Sequence, residues 1–259
     1  MKKILTIAGS DCSGGAGIQA DIKTITAHKM YAMSVVTALT AQNTTGVYGV
    51  FDMTPEFVEK QLDAIFTDII PEAVKIGMVS NKEIIEIMSR KLEEYKISNI
   101  VLDPVMISTS GSKLLSDDGM KALIDRLFPI ASIITPNIPE ASCLSGLQIH
   151  TKKDMELAAI EIGKNYKGAV LIKGGHLADS SDDLLYMNGG IYWFYGENVN
   201  NTNTHGTGCT LSSAIACNIA DNKDLKESVQ AAKKYITGAL NADLDLGKGS
   251  GPLNHCWDL

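Results

Sequence analysis

Residues 3–21, with the sequence KILTIAGSDCSGGAGIQAD, set the structural pattern of this chain. The short apolar run over residues 3–8 predicts a buried β-strand, and the glycine-rich stretch that follows predicts a tight turn. The next segment predicts a helix that ends at about His28. This order of strand, turn and helix recurs along the rest of the chain.

Short apolar runs and amphipathic stretches alternate as far as residue 240. Strands are predicted over residues 34–40, 73–76, 100–102, 130–135, 169–173, 184–187 and 191–195. Helices are predicted to begin at Pro55 and after Asn81, and to cover about 117–127, 155–166, 207–220 and 225–240. Asn188-Gly189-Gly190 predicts a hairpin between the last two strands. The alternation favours an α/β fold, a mostly parallel sheet with helices on both faces, built as one domain over residues 1–259.

Composition and charge exclude several classes of protein. The 259 residues are 45% hydrophobic and 20% charged, which is typical of a globular chain with a sizeable core. A net charge of −7 argues against a nucleic-acid-binding protein, which needs a basic surface. No apolar run approaches the roughly 18 residues of a membrane helix. The five scattered cysteines contain no Cys-x-x-Cys pair, so we expect reduced thiols in the cytoplasm.

The glycine-rich stretch over residues 9–17 admits two interpretations. Gly15, Gly17 and Ala20 fit the dinucleotide-binding pattern G-x-G-x-x-A, which would indicate an NAD-dependent dehydrogenase. That function also needs an acidic residue about 20 positions later, and residues 22–51 contain no Asp or Glu. The sequence therefore weakens the dehydrogenase interpretation, and a turn without a ligand remains the other possibility.

A second glycine-rich segment, HGTGCT at residues 205–210, directly precedes an apolar helix rich in small residues. Two glycines allow a ligand to approach the backbone, and the helix that follows directs free amides and its positive dipole end toward that ligand. The segment therefore predicts an anion-binding loop. Cys209 lies in the first helical turn, where we expect the pKa of a thiol to fall.

Charged and polar residues at other strand ends complete the picture of a phosphoryl-transfer site. Lys173 follows a buried strand and precedes two glycines, which suits a phosphate, although a solvated turn explains the same pattern. Asp103 ends another strand. Asn137 and Glu140 are three positions apart, so one helical turn would place both on one face. Carboxylates of this kind are ligands for Mg²⁺, which keeps several waters.

Seven segments in one order resemble those of a known family. They are residues 8–11 (AGSD), 14–21 (GGAGIQAD), 40–44 (TAQNT), 103–106 (DPVM), 135–140 (TPNIPE), 173–176 (KGGH) and 205–210 (HGTGCT). In this order and spacing the chain resembles the hydroxymethylpyrimidine/phosphomethylpyrimidine kinases of thiamine biosynthesis. The resemblance covers nearly the whole chain.

The resemblance implies a ribokinase-like, three-layer αβα fold and a homodimer. It implies ATP- and Mg²⁺-dependent phosphorylation of 4-amino-5-hydroxymethyl-2-methylpyrimidine, followed by phosphorylation of the monophosphate to the diphosphate. It also implies a lid after Met106, over residues 107–112, where this chain lacks the lysine of many relatives. Neither a nucleic acid nor a membrane is expected as a partner.

The family's functional residues map onto four groups of positions in this chain. Gln42 would bind the aminopyrimidine, and the rest of that pocket would be Gly9, Ala16, Asp21, Met78 and Val105. ATP would contact Asn137, Lys173 and Thr210, with Asp103 and Glu140 near the metal. The catalytic anion hole would be Gly206, Thr207, Gly208 and Cys209.

Two questions stay open at the level of sequence. Cys209 could accept the proton of the hydroxymethyl group, or the amides around it could act alone by holding phosphoryl oxygens. The function could also be that of a pyridoxal kinase with the same fold, or of a non-catalytic module that senses a vitamin or nucleotide. The run Gln42-Asn43-Thr44 favours the pyrimidine enzyme, and the intact anion hole favours catalysis.

Overall fold

The computed structural model describes residues 1–106, 115–175, 181–196, 199, 201 and 203–259. The expected lid over residues 107–112 and the motif residue His176 lie outside the described residues. Within the described chain, no helix combines the length and the apolar character that crossing a membrane requires.

One nine-stranded sheet runs through the described residues. Its strands are β1 (Lys3–Asp11), β2 (Tyr31–Asn43), β3 (Gly46–Asp52), β4 (Ala73–Ile76), β5 (Ile100–Leu102), β6 (Ile133–Ile134), β7 (Ala169–Ile172), β8 (Asp183–Met187) and β9 (Gly190–Phe194). Their order across the sheet is β3-β2-β1-β4-β5-β6-β7-β8-β9. Every pairing from β2 to β7 is parallel, whereas β3 at one edge and β8 and β9 at the other pair antiparallel.

Helices cover both faces of this sheet, because alternate residues of each buried strand point to opposite sides. Leu5 and Ile7 join one hydrophobic cluster, whereas Ile4, the residue before Leu5, joins the other. The first cluster contains residues of α2 (Pro55–Phe66), α3 (Lys82–Glu94), α4 (Asp117–Ala122), α5 (Ile138–Ser145) and α6 (Lys152–Asn165). The second contains residues of α1 (Gly17–Ala27), α7 (Thr207–Ala220) and α8 (Leu225–Asn241). The predicted three-layer α/β architecture is confirmed.

The structure confirms the predicted hairpin and differs from the predicted elements at two strands. The hairpin is confirmed, with Asn188 and Gly189 at φ 51° and 78°. The strand predicted over residues 130–135 is shorter, because residues 123–130 continue α4 as a π-helical turn and then a 3₁₀ turn. β3 was not predicted at all: all seven of its residues are exposed, so no alternation of buried and exposed positions marks the strand.

The parallel strands bring the predicted motifs to one edge of the sheet. Met78 lies just beyond β4, Asp103 directly follows β5, and Lys173 directly follows β7. The start of α7 faces the same edge, since Gly208 lies beside the side chains of Asp103 and Lys173. Ligands of open α/β sheets bind at this end of the strands.

Candidate active site

The two glycine-rich loops interlock, and each needs its glycine at the point of contact. Gly206 has φ 84°, and a Cβ there would lie 1.9 Å from the carbonyl oxygen of Gly15. A Cβ on Gly15 would lie 2.4 Å from the ring of His205. The loop after β1 and the loop before α7 therefore form one continuous backbone surface.

Asp11 holds the first loop closed. Its Oδ2 accepts hydrogen bonds from the amides of Gly15 (3.1 Å) and Ala16 (2.9 Å), and its Oδ1 accepts from the amide and the hydroxyl of Ser13. Burial opposes ionisation, but hydrogen bonds from Ser13, His205 and Ala16 outweigh it and hold the pKa of Asp11 below its usual value. Sequence reasoning missed this residue, although an Asp two positions before a Ser is the pattern of an Asx turn.

Asp21 lies behind the site in a fully buried network. Its carboxylate accepts from Lys75 Nζ (2.9 and 2.8 Å), from Thr6 Oγ1 (2.5 Å) and from Ser213 Oγ (2.8 Å). Both Asp21 and Lys75 are 0% exposed. Sequence reasoning did not select Lys75, although a lysine inside a four-residue buried strand signals a paired charge.

Gln42 lies at the end of β2 beside the interlocked loops. Its backbone is fixed by Cys12, whose Sγ lies 3.1 Å from the Gln42 carbonyl oxygen and 3.3 Å from the Gln42 amide nitrogen. Its carboxamide lies between Thr40 Oγ1 (3.2 Å) and His205 Nε2 (3.3 Å). The backbone of Gln42 is therefore held by Cys12, and its carboxamide is oriented by the side chains of Thr40 and His205.

The remaining residues predicted for the substrate pocket show close backbone approaches. A Cβ on Gly9 would lie 2.8 Å from Met78 Cε, so the absent side chain makes room for Met78. Ala16 precedes α1 as its N-cap residue. Val105 has φ 44°, which is strained for a β-branched residue and typical of a constrained functional segment.

Three groups converge on Gly208 at the start of α7. Lys173 Nζ donates to Asp103 Oδ1 at 2.7 Å, and Thr135 Oγ1 donates to the same oxygen at 3.1 Å. A Cβ on Gly208 would lie 3.2 Å from Lys173 Nζ and 3.3 Å from Asp103 Oδ2. Burial opposes the charge of Lys173, but Asp103 and Glu140 keep its pKa above the usual value. A helix N-terminus, a lysine and a carboxylate oxygen thus face one small volume.

Glu140 connects Asn137 to the segment after β5. Its Oε2 accepts from the Asn137 amide (2.9 Å) and its Oε1 from the Met106 amide (3.0 Å), while Asn137 Oδ1 caps α5 by accepting from the Glu140 amide (2.9 Å). Burial raises the pKa of Glu140, the charge of Lys173 lowers it, and that of Asp103 raises it, with a net increase.

These contacts limit how a metal could bind. Across the described ranges, no cluster of three or more His, Cys, Asp or Glu side chains could hold a metal ion. Asp103 Oδ2 faces Gly208, whereas both oxygens of Glu140 already accept backbone hydrogen bonds. A cation that takes one or two carboxylates and completes its shell with water and phosphate, as Mg²⁺ does, fits this donor set.

The environment of Cys209 contradicts the expected low thiol pKa. Burial raises the pKa of Cys209, Lys75 lowers it, and the carboxylates of Asp21 and Asp103 raise it again. The Gly17 amide lowers it only slightly, so the net pKa lies above the usual value. Desolvation and two nearby negative charges therefore outweigh the lowering effect of Lys75 and of the Gly17 amide.

The C-terminal segment packs against residues 205–210. Thr210 is 0% exposed and its hydroxyl lies 3.1 Å from His255 Nε2, so its side chain faces that segment. The Thr207 hydroxyl donates to the Thr204 carbonyl at 2.6 Å, so this side chain is engaged within the turn. Burial lowers the pKa of His255 to about 4. His255 is 3% exposed, so it lies inside the protein.

Comparison with known proteins adds sequence evidence. The family model described as phosphomethylpyrimidine kinase matches residues 11–254. A hydroxymethylpyrimidine/phosphomethylpyrimidine kinase from Escherichia coli is 46% identical over 98% of both chains. The thiamine biosynthesis bifunctional protein ThiED of Geobacter sulfurreducens is 46% identical over 97% of this chain, which spans 52%, about half, of that longer protein.

Solved structures of two kinases superpose on nearly the whole chain. The phosphomethylpyrimidine kinase (thiD) of Clostridium difficile 630 superposes with a TM-score of 0.83 at 46% identity, covering 92% of this chain and 98% of that one. A pyridoxal kinase from Staphylococcus aureus in complex with AMP-PCP gives a TM-score of 0.93 at 35% identity, covering 100% and 95%.

Proposed function

The chain belongs to the phosphomethylpyrimidine kinase family, and we propose how the residues of its site divide the work of that enzyme. It is a hydroxymethylpyrimidine/phosphomethylpyrimidine kinase of thiamine biosynthesis with a ribokinase-like fold, and ATP is its phosphate donor. Its substrate, 4-amino-5-hydroxymethyl-2-methylpyrimidine, is phosphorylated first at the hydroxymethyl oxygen and then at the resulting monophosphate.

The pyrimidine binds between β1, β2 and the segments after β4 and β5. Gln42 pairs with the ring nitrogen and the exocyclic amine, because a carboxamide offers a donor and an acceptor in one plane. Gly9, Ala16, Met78 and Val105 shape the pocket around the ring. The buried Asp21 supports this pocket through Lys75, Ser213 and Thr6, from which it accepts four hydrogen bonds.

Phosphoryl transfer takes place above Gly208. The hydroxymethyl oxygen bonds to the γ-phosphorus as the bond to the β–γ bridging oxygen breaks, and ADP leaves with that oxygen. Backbone amides of Gly206, Thr207, Gly208 and Cys209 hold the oxygens of the transferring group. Lys173 neutralises part of the negative charge of the phosphates, and Asn137 lies beside Lys173. Thr210 contributes to the ATP site through its own backbone.

The observation that carries this assignment is the approach of Lys173 Nζ and Asp103 Oδ2 to Gly208 within 3.2 and 3.3 Å of a Cβ position there. Mg²⁺ would neutralise phosphate charge when bound, and Asp103 Oδ2 is the group that would hold it, with Glu140 behind. The hydroxymethyl proton leaves late in a loose transition state, so the amides and Lys173 matter more than a base.

A substrate panel tests the function. Purified protein with ATP and Mg²⁺ is offered the hydroxymethylpyrimidine, its monophosphate and pyridoxal, and ADP and products are followed by mass. We expect both pyrimidine species to be phosphorylated, and withdrawal of Mg²⁺ to abolish turnover. Efficient phosphorylation of pyridoxal with the pyrimidine left unmodified would establish the alternative, a pyridoxal kinase.

We also propose that the enzyme is a cytoplasmic homodimer built from one domain per chain. All five cysteines, each within the described residues, are free thiols, as a reducing compartment maintains them. The edge strand β3 exposes Val47, Tyr48, Val50 and Phe51, each at least 56% exposed. An apolar sheet edge of this kind is normally covered, and a second copy would cover it. Light scattering on wild type and on Phe51→Lys, which should dissociate the dimer, tests this.

A further inference from the structure

Three polar side chains around Gln42, those of Asp11, His205 and Thr40, form one connected hydrogen-bond network with its carboxamide. His205 Nε2 lies 2.8 Å from Asp11 Oδ2 and 3.3 Å from the carboxamide nitrogen of Gln42. Thr40 Oγ1 lies 2.9 Å from the carbonyl oxygen of Ser10 and 3.2 Å from the carboxamide oxygen of Gln42. Asp11 is 3% exposed, so the network begins inside the protein and ends in the substrate pocket.

Two members of this network have only one possible role. The low pKa of Asp11 keeps it a carboxylate, which accepts only, so His205 Nε2 must carry a proton and donate it. The carbonyl oxygen of Ser10 also accepts only, so it takes the single hydroxyl proton of Thr40. These requirements hold for the neutral imidazole with its proton on Nε2 and for the imidazolium alike.

The carboxamide of Gln42 must satisfy both neighbours. If the carboxamide nitrogen faced His205, its N–H group would meet the Nε2–H, and two donors would meet without an acceptor. If the carboxamide oxygen faced Thr40, it would meet a hydroxyl whose single proton already goes to the Ser10 carbonyl oxygen. A 180° rotation of the carboxamide exchanges its oxygen and nitrogen without changing its shape, and this gives every atom a partner. The oxygen then shares the single Nε2–H of His205 with Asp11 Oδ2 in a three-centre hydrogen bond, in which Asp11 is the nearer acceptor (2.8 against 3.3 Å), and the nitrogen donates to Thr40 Oγ1.

We propose that Asp11 and His205 are positioning residues that fix the orientation of the Gln42 carboxamide and thereby set which pyrimidine edge the enzyme accepts. Each carboxamide atom keeps one hydrogen-bonding capacity for the substrate: a second N–H on the nitrogen and a second lone pair on the oxygen. That order matches a ring nitrogen beside an exocyclic amine. Pyridoxal has no such adjacent pair, so the fixed carboxamide favours the aminopyrimidine.

This inference rests on the proposed role of Gln42, and a double-mutant cycle separates the two. Gln42→Leu alone tests the proposed role and should lower kcat/KM for the hydroxymethylpyrimidine by about 5- to 150-fold. His205→Leu removes the donor and should lower it by about 5- to 30-fold, mainly through KM, with the KM for ATP changed less than about twofold. In the Gln42→Leu background the same His205 substitution should change kcat/KM less than about twofold.

Conservative variants control for a structural effect, because the His205 ring also packs on Gly15. His205→Gln places an amide nitrogen near the position of Nε2 and should recover most of the efficiency. Thr40→Val removes the other neighbour and should raise the pyrimidine KM with His205 intact. His150→Leu, at an exposed position, should leave all parameters unchanged.

Three results would overturn the inference. One is a pair of losses from His205→Leu and Gln42→Leu that multiply in the double variant. Another is an equal rise in both KM values. The third is a His205→Gln variant as impaired as His205→Leu. If Gln42→Leu alone has no effect, the proposed role of Gln42 fails, and the positioning role fails with it.

Discussion

Lys75 Nζ lies 2.8 Å from Asp21 Oδ2, and neither side chain has any exposed surface. Burial opposes the charge of Lys75, but the carboxylate of Asp21 outweighs it and holds the pKa of Lys75 above its usual value. The same pair acts on the active site, since Lys75 lowers and Asp21 raises the pKa of Cys209. This buried ion pair therefore contributes to the electrostatic potential at Cys209.

Breaking this ion pair should destabilise the protein strongly. Lys75→Met leaves the Asp21 carboxylate buried without its cation, which costs about 3–5 kcal/mol. Urea denaturation should show this as a lower midpoint. Lys82→Met, which breaks an exposed pair with Glu86, should change the free energy of unfolding by less than about 0.5 kcal/mol. A loss of similar size in both variants would contradict the argument.

Gly208→Ala should separate stability from activity. The added methyl would lie 3.2 Å from Lys173 Nζ, in the space assigned to the phosphoryl oxygens, so we expect kcat to fall about 10- to 1000-fold. Since Ala favours a helix over Gly by about 1 kcal/mol, the melting temperature should stay equal or rise. Gly46→Ala, where a Cβ meets no atom within 4 Å, should change neither quantity. Full activity in Gly208→Ala would place phosphoryl transfer elsewhere.

The raised pKa of Cys209 argues against a thiolate base at neutral pH. Were the thiolate the base, the rate would rise with pH toward that raised pKa, and Cys209→Ala would lose that rise. We expect instead that Cys209→Ala keeps more than about a third of wild-type turnover and the same pH profile as the wild type. A loss of about 100-fold or more, together with a lost alkaline rise, would restore the base role.

The two candidate metal carboxylates should behave differently. Asp103→Asn removes the charge at the oxygen that faces Gly208, so the Mg²⁺ concentration for half-maximal rate should rise about 10-fold or more. Glu140→Gln replaces an acceptor of two backbone amides by a group with only one oxygen, so it should lower the melting temperature more than it alters the Mg²⁺ requirement. Unchanged Mg²⁺ titrations in both variants would remove both residues from the metal site.

His255 should make stability depend on pH in the acid range. Burial lowers its folded-state pKa from 6.5 to about 4, so above pH 6.5 it is neutral in both states and has no effect. Between pH 6.5 and 4 the unfolded chain binds a proton that the folded chain does not, and stability falls by about 3 kcal/mol at most. His255→Gln should flatten this difference between pH 7 and 4.5, whereas His150→Gln at an exposed position should not. Identical pH slopes in wild type and His255→Gln would refute the buried neutral state.

The sequence by itself determined the layered fold and the two glycine-rich loops. Both depend on local signals: buried runs separated by amphipathic stretches predict parallel strands with helices between them, and HGTGCT before a small-residue helix predicts an anion-binding turn. The sequence does not predict β3, because an exposed edge strand shows no alternation of buried and exposed positions.

Tertiary structure alone decided which charges meet. Asp11 and His205 are 194 positions apart and Asp21 and Lys75 are 54 apart, so no local pattern links either pair. The direction of the Cys209 pKa likewise needed the fold: the helix N-terminus visible in the sequence predicts a lower value, whereas burial and the carboxylates of Asp103 after β5 and Asp21 in α1 raise it. Local periodicity governs which elements form, but desolvation and Coulomb interactions depend on distances that exist only after the chain has folded.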